Sequence, residues 1–245
     1  MRATAPPTAP SACGGGSSSI EHGRAPRTRR RSRQLRSPLA VLALISLTAC
    51  IPSVQAPHGR RAAPAETPER FARCVAMMRA EGSKVEPLPD RSFDNGCSAT
   101  SAVKLVAIGI PVTNLGAVKC ALALPFARWV RTDVPAEARR WLGGEVVRIE
   151  SFGSFACRPV NNQAGNRLSE HGRANAIDIA AFRLRDGRRI TVKDGWNAED
   201  ADIRGFLRAL HKAACGRFGV VLGPDANALH HDHFHFDMGG GPYCR

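Results

Sequence analysis

The sequence predicts an α+β domain: helices first, then a small antiparallel sheet packed with them, the whole stabilised by disulfides. Three observations carry this. Apolar residues recur at helical spacing in 68–81 and 200–215, whereas from Glu145 the period changes to two. The 245-residue chain is 43% hydrophobic and 23% charged, a globular composition with room for one ordinary domain plus tails. Six cysteines are scattered through residues 67–245, an even number suited to pairing.

Thr67-Pro68-Glu69 offers an N-cap with proline at the first helical position, and Gly82 closes the stretch. Residues 68–81 therefore read as a helix, with Phe71, Val75 and Met78 on its core face. Residues 91–120 mix short β-branched runs with Gly96, Gly109 and Pro111, which suits strands and turns. Residues 117–130 read as a helix kinked at Pro125, and 135–142 as a short second one ended by Gly143-Gly144. Val146, Val147 and Ile149 open a strand, and 152–166 is a glycine- and asparagine-rich loop. The apolar run 176–184 is turned by Asp186-Gly187 into 188–192, a hairpin. Ile203, Phe206, Leu207 and Leu210 make 200–215 an amphipathic helix, and 220–222 and 234–236 are short strands. No internal repeat is present.

Residues 1–50 read as an export leader. They hold eight arginines and one glutamate, half of the formal net charge of +14, so the rest of the chain is only mildly basic and no nucleic-acid partner is expected. Seven arginines in 24–36 precede an apolar run over 39–49, the order of a secretory n-region and h-region. The end, Leu47-Thr48-Ala49-Cys50, resembles the bacterial lipobox, in which the cysteine is lipidated; the other reading is an ordinary signal peptide with Cys50 incidental. Residues 1–23, rich in Pro, Ser, Gly and Thr, are expected to be unstructured or to precede the true start. Residues 51–66 form a Pro/Ala/Arg-rich tether to a domain over 67–245. No apolar run reaches the roughly 18–20 residues of a bilayer span, so membrane contact is expected only through the lipid, at the periplasmic face of the envelope.

Setting aside Cys13 and Cys50 leaves Cys74, Cys97, Cys120, Cys157, Cys215 and Cys244. None forms a CxxC pair, which argues against a cysteine zinc knuckle. In an oxidising compartment they suggest three disulfides of open connectivity; a Cys157–Cys244 bridge would staple the tail to the segment carrying the chemistry.

That chemistry starts from histidine density. Four of the eight histidines, His230, His231, His233 and His235, fall within six residues, more than packing explains. On a strand, His233 and His235 project from one face, with Asp232 and Phe234 pointing the other way or marking a bend. Upstream runs Ser169-Glu170-His171-Gly172-Arg173-Ala174-Asn175-Ala176-Ile177-Asp178. A loop histidine, His171, and a strand carboxylate, Asp178, can converge on one ion, with a third ligand from the 233–235 pair. Two nitrogens and one oxygen leave a fourth position for water, the arrangement of a catalytic rather than a structural zinc site.

The pattern Ser-x-His-x-x-(Gly/Ala)-x-Ala-x-Asp followed by His-x-His resembles the zinc D,D-carboxypeptidases and penicillin-insensitive murein endopeptidases, a superfamily that includes the hedgehog signalling domain. Ala174 stands where glycine is usual. Arg158 and Gln163 keep the spacing of that superfamily's Tyr-Arg-Ser-x-x-x-Gln element, with Cys157 and Pro159 in place of Tyr and Ser. The stretch from Cys157 through His235 to Tyr243-Cys244-Arg245 looks most like the bacterial extensin-like C-terminal domain family, over 68–245. The resemblance implies His171, Asp178 and His235 as zinc ligands. It implies Asp232 or His233 as general base, with His230 close by. Arg158 would hold a substrate carbonyl or stabilise its oxyanion, and Gln163 and Ser169 would bind substrate.

Other residues read as structural: His211 as a surface or satisfied histidine, Trp141 and Trp196 as core. Ser169 lacks the context of a nucleophile, and Ser154 has nothing to recommend it. Arg183, Arg185, Arg188 and Arg189 make a solvated hairpin face that could attract anionic envelope polymers. The function expected from all this is a zinc peptidase acting on peptidoglycan stem peptides or their cross-links. The alternative is a non-catalytic, metal-containing module binding the cell wall or a partner protein. A structural wall protein would need long proline repeats that the chain lacks.

Overall fold

The computed structural model describes residues 66–245. The leader with Cys13 and Cys50, and the tether up to residue 65, lie outside the described residues. The first helix, α1 (Pro68–Ala80), begins at its sequence signal: Thr67 caps it by accepting from the Arg70 amide, and Cys74, Val75 and Met78 are buried. Five short strands follow: β1 (Lys84–Pro87), β2 (Arg91–Ser92), β3 (Ser98–Ala99), β4 (Ala102–Ala107) and β5 (Val118–Lys119). They form a three-stranded sheet in the order β1-β4-β5 and a separate β2-β3 pair.

The helix predicted over 117–130 starts later. Residues 118–119 are claimed by pairing with β4, so α2 spans Cys120–Arg128, with Pro125 inside it. It does not end before the next helix either. A π-helical turn, Trp129–Asp133, carries the chain without a break into α3 (Val134–Leu142). That turn buries Trp129 and Val130, and the Trp129 indole N–H donates to the Leu210 carbonyl at 3.2 Å. Packing of these large side chains outweighs the local stop signals that suggested two separate helices.

The main sheet is built from β6 (Val146–Gly153), β7 (Ala176–Leu184), β8 (Arg189–Thr191), β9 (Val220–Leu222), β10 (Phe234–Asp237) and β11 (Tyr243–Cys244). The order is β11-β9-β10-β7-β6, with β8 also on β7 and every pairing antiparallel except β11 with β9. The strand predicted from Val146 thus runs on to Gly153, shortening the loop. Between strands lie α4 (Val192–Gly195) and α5 (Ala201–Cys215), the latter capped by Asp200 accepting from the Asp202 and Ile203 amides. Phe206, Leu207 and Leu210 of α5 pack with Trp129, Phe182 and Phe234 in one core. No helix among the described residues is long and apolar enough to cross a membrane.

Register positions the chemistry. Asp178, the third residue of β7, pairs with His235 of β10 on one side and Gly153 of β6 on the other. The period of two then sends Ile177, Ile179, Phe234 and Phe236 to the core face, all at 0% exposure, and leaves Asp178, His235 and Asp237 on the opposite one. Gly153 has φ +131, a conformation L side chains rarely adopt, so glycine suits the end of β6 here.

Cys74 pairs with Cys120, Cys97 with Cys157 and Cys215 with Cys244. A Cys157–Cys244 bridge is therefore excluded, because each of its cysteines has a nearer partner. The Cys97–Cys157 bond ties the segment bearing Arg158 to the β2–β3 hairpin. Replacing both cysteines by serine is expected to lower stability by about 2–4 kcal/mol, measured by denaturant unfolding. The hairpin arginines are not free: Glu150 accepts from Arg183 and Arg189, Glu145 from Arg185 and Asp186 from Arg188. These exposed pairs contribute little stability, but they cancel most of the positive field the sequence suggested for that face.

Candidate metal centre

His171 sits on a 3-10 turn, Glu170–Arg173, that delivers it onto β7. Ser169 caps the turn, its hydroxyl accepting from the His171 amide at 3.3 Å. The turn ends at Ala174 in the left-handed conformation, φ 52, which explains why glycine suits this position in the motif. Ala174 is fully buried there.

The turn brings together three donors. His171 Nε2 is 3.1 Å from Asp178 Oδ2 and 3.2 Å from His235 Nδ1, and His235 Nδ1 is 2.9 Å from Asp178 Oδ1. All three residues are buried, at 3%, 7% and 8% exposure. Ligands held at about 2.0–2.1 Å in a tetrahedron stand roughly 3.3 Å apart, so these spacings suit a single divalent ion. The tautomers suit it too. The Nδ1–H of His171 donates to the Ser154 carbonyl at 3.0 Å, and the Nε2–H of His235 donates to Asp237 Oδ2 at 2.9 Å. In that tautomer each ring would present its inward nitrogen, Nε2 of His171 and Nδ1 of His235, to an ion. The donor set fits a metal.

Asp237 was not singled out in the sequence. Its signal was available: on a strand it shares a face with His235 two residues earlier. Its other oxygen accepts from the Gly239 amide at 2.7 Å, fixing the carboxylate. Asp237→Asn should weaken metal binding by roughly 10–100-fold, the usual effect of losing such an outer partner, as measured by chelator competition. Ser154, which nothing in the sequence recommended, contributes only its backbone carbonyl.

Around the donors, His233 stands half-buried, its Nε2 3.6 Å from Asp178 Oδ1 and its Nδ1–H donating to Asp232 Oδ1 at 2.8 Å. Burial would raise the Asp232 carboxyl, but the bond from His233 and the charges of His233 and His231 hold it below its ordinary value. His230 packs against His233 with ring centroids 5.1 Å apart and bonds Asn227 at 2.9 Å. Burial first, then the nearby charges of His235 and His233, push its pKa down to about 4, so it is neutral at physiological pH. His231 is exposed and bonds the Ala228 carbonyl.

Two cavities flank the donors, of about 690 Å³ and about 360 Å³, and Arg158, His171, Asp178 and His233 line both. Ser169 and His230 line the larger and Asp232 the smaller. Gln163 is placed elsewhere: it is exposed, its side-chain oxygen accepts from Asn166, and it lines neither cavity. The spacing that suggested it holds, but the turn over Val160–Asn162 carries the side chain to solvent.

A second cluster, His211, Cys215 and Cys244, is not a metal site, since its two sulfurs are bonded to each other. His211 is buried rather than exposed: its Nε2–H donates to the Arg245 carbonyl at 3.0 Å, and burial lowers its pKa. Trp196 is buried and Trp141 packs on the core.

No curated protein and no solved structure matches the chain. The family described as "Extensin-like protein C-terminus" matches residues 72–245, which run from within α1 to the last strand and include every residue of the candidate metal centre. The chain therefore belongs to the extensin-like C-terminal family.

Proposed function

We propose that this protein is an exported, lipid-anchored zinc peptidase that hydrolyses amide bonds in peptidoglycan stem peptides or their cross-links. The observation that carries the reading is the three-donor group whose histidines are each held from outside by a carbonyl or a carboxylate, next to two cavities and beside an Asp–His pair. Two nitrogens and one carboxylate are the donor chemistry of catalytic zinc. Three disulfides suit an oxidising compartment, in keeping with the leader read from the sequence. Lipidation at Cys50 and the periplasmic location rest on that leader alone.

A zinc ion on these donors supplies Lewis acidity toward the carbonyl and makes water acidic enough to react near neutral pH. The chain's own residues do the rest. His233 Nε2 takes a proton from the attacking water, while Asp232 holds Nδ1–H and offsets the charge that the ring acquires. This makes His233 the base and Asp232 its positioning partner. Arg158 donates to the carbonyl oxygen as negative charge builds there. The proton on His233 passes to the departing nitrogen as the carbon–nitrogen bond breaks. His230, neutral, is a hydrogen-bonding wall of the site. The test is digestion of purified peptidoglycan with mass-spectrometric analysis of the products. Zinc-dependent appearance of new amino termini, abolished by chelation and restored by zinc, is expected. An intact substrate after prolonged incubation with zinc-loaded protein would refute the reading.

A further inference from the structure

We infer that the substrate is a peptide continuing on both sides of the bond acted on, so that it occupies both cavities and the bond over the donors is interior to the chain. The inference rests on the hydrolytic reading above and names its substrate class. Arg158, His171, Asp178 and His233 line both cavities, so the donor group has open space on two sides rather than one. Each side exceeds the roughly 300 Å³ at which small-ligand pockets begin. Removal of a terminal residue needs a one-residue slot ending in a cation for the chain's carboxylate. The smaller side has no cation beyond Arg158 and the histidines of the centre itself, all at its inner end.

Exposed apolar side chains mark both arms. Of the six large hydrophobic residues exposed among the described ones, Leu229 and Tyr243 line the larger cavity and Phe152 the smaller. Singly, exposed apolar groups need no explanation; half of them along one cleft point to apolar faces of a bound chain. Phe152 stands edge-on to His233 at 5.6 Å, directly before Gly153, which pairs with Asp178. Tyr243, two residues before the last described residue, is nonetheless fixed. β11 pairs with β9, the Arg245 amide donates to the Val221 carbonyl, and Cys244 is bonded to Cys215.

Two probes test this: a cross-linked muropeptide dimer, and an uncross-linked pentapeptide monomer. Tyr243 is the sole tyrosine, so ring-labelled tyrosine gives one NMR signal from the wall of the larger arm. With zinc-free protein, the dimer should move that signal. Phe152→Ala should weaken dimer binding roughly tenfold, as expected for a truncated aromatic anchor. With zinc, the dimer should be cut to monomers much faster than the monomer loses its terminal residue. No Tyr243 shift, or faster release of a terminal amino acid from the monomer, would overturn the inference, and in the second case the peptidase reading would survive. Dimer binding across both arms without any hydrolysis would instead uphold the through-running groove and sink the peptidase reading.

Discussion

His233→Ala is expected to lower turnover by roughly 10²–10⁴-fold, the contribution of a positioned proton acceptor, while the protein still holds one zinc. The reasoning is geometric. His233 Nε2 faces the donor group at 3.6 Å from Asp178 Oδ1 but is not one of the three mutually close donors, so its loss leaves the ion's ligands in place. Asp232→Asn should be milder, because it removes only the partner that holds Nδ1–H and leaves the ring. Steady-state rates combined with zinc content separate these cases. Loss of zinc in His233→Ala would recast His233 as a fourth ligand, and a larger defect for Asp232→Asn would exchange the roles of base and partner.

Asp178→Asn is expected to cost more in zinc affinity than the roughly 10–100-fold of an outer partner such as Asp237. Burial alone would raise the Asp178 carboxyl, but hydrogen bonds from His171 and His235 hold it far below the ordinary range. Its charge in turn acts on His235. Burial opposes protonation of that ring, yet the bonds to Asp178 and Asp237 push its pKa up to about 9 in the metal-free protein. Below that pH the proton occupies a site the ion needs, so binding must release it. Zinc affinity should therefore fall as pH falls, by about tenfold per unit below pH 9 for one released proton. In Asp178→Asn the raised pKa collapses toward the ordinary histidine value, and the pH dependence should shift down with it. Calorimetric titration in buffers of different ionisation heat reads both the affinity and the protons released. A wild-type affinity flat between pH 6 and 8 would contradict this picture of the centre.

Much of this was legible in the sequence because it depends on local signals. Thr67 announces the helix it caps, the apolar spacing in 200–215 announces another, and the period of two sets Asp178 between Ile177 and Ile179 and His235 between Phe234 and Phe236. What escaped depends on contacts between distant segments. The π-helical turn at Trp129–Asp133 follows from how the core packs around Trp129. The disulfide partners depend on which loops meet. The choice between Asp232 and His233 became a pair only when the ring orientation was visible, and Ser154 acts through a carbonyl that has no side-chain signature. Gln163 shows the reverse: the motif spacing along the chain is kept, while the side chain is exposed.

The central claim is that His171, Asp178 and His235 hold a catalytic metal. The most direct measurement is the zinc-to-protein ratio of disulfide-bonded protein purified without chelator, with the same ratio for His171→Ala. The account predicts about one zinc per chain, lost in the variant, in keeping with a single three-ligand site. Protein that is free of zinc and takes up none on titration, while folded, would contradict it.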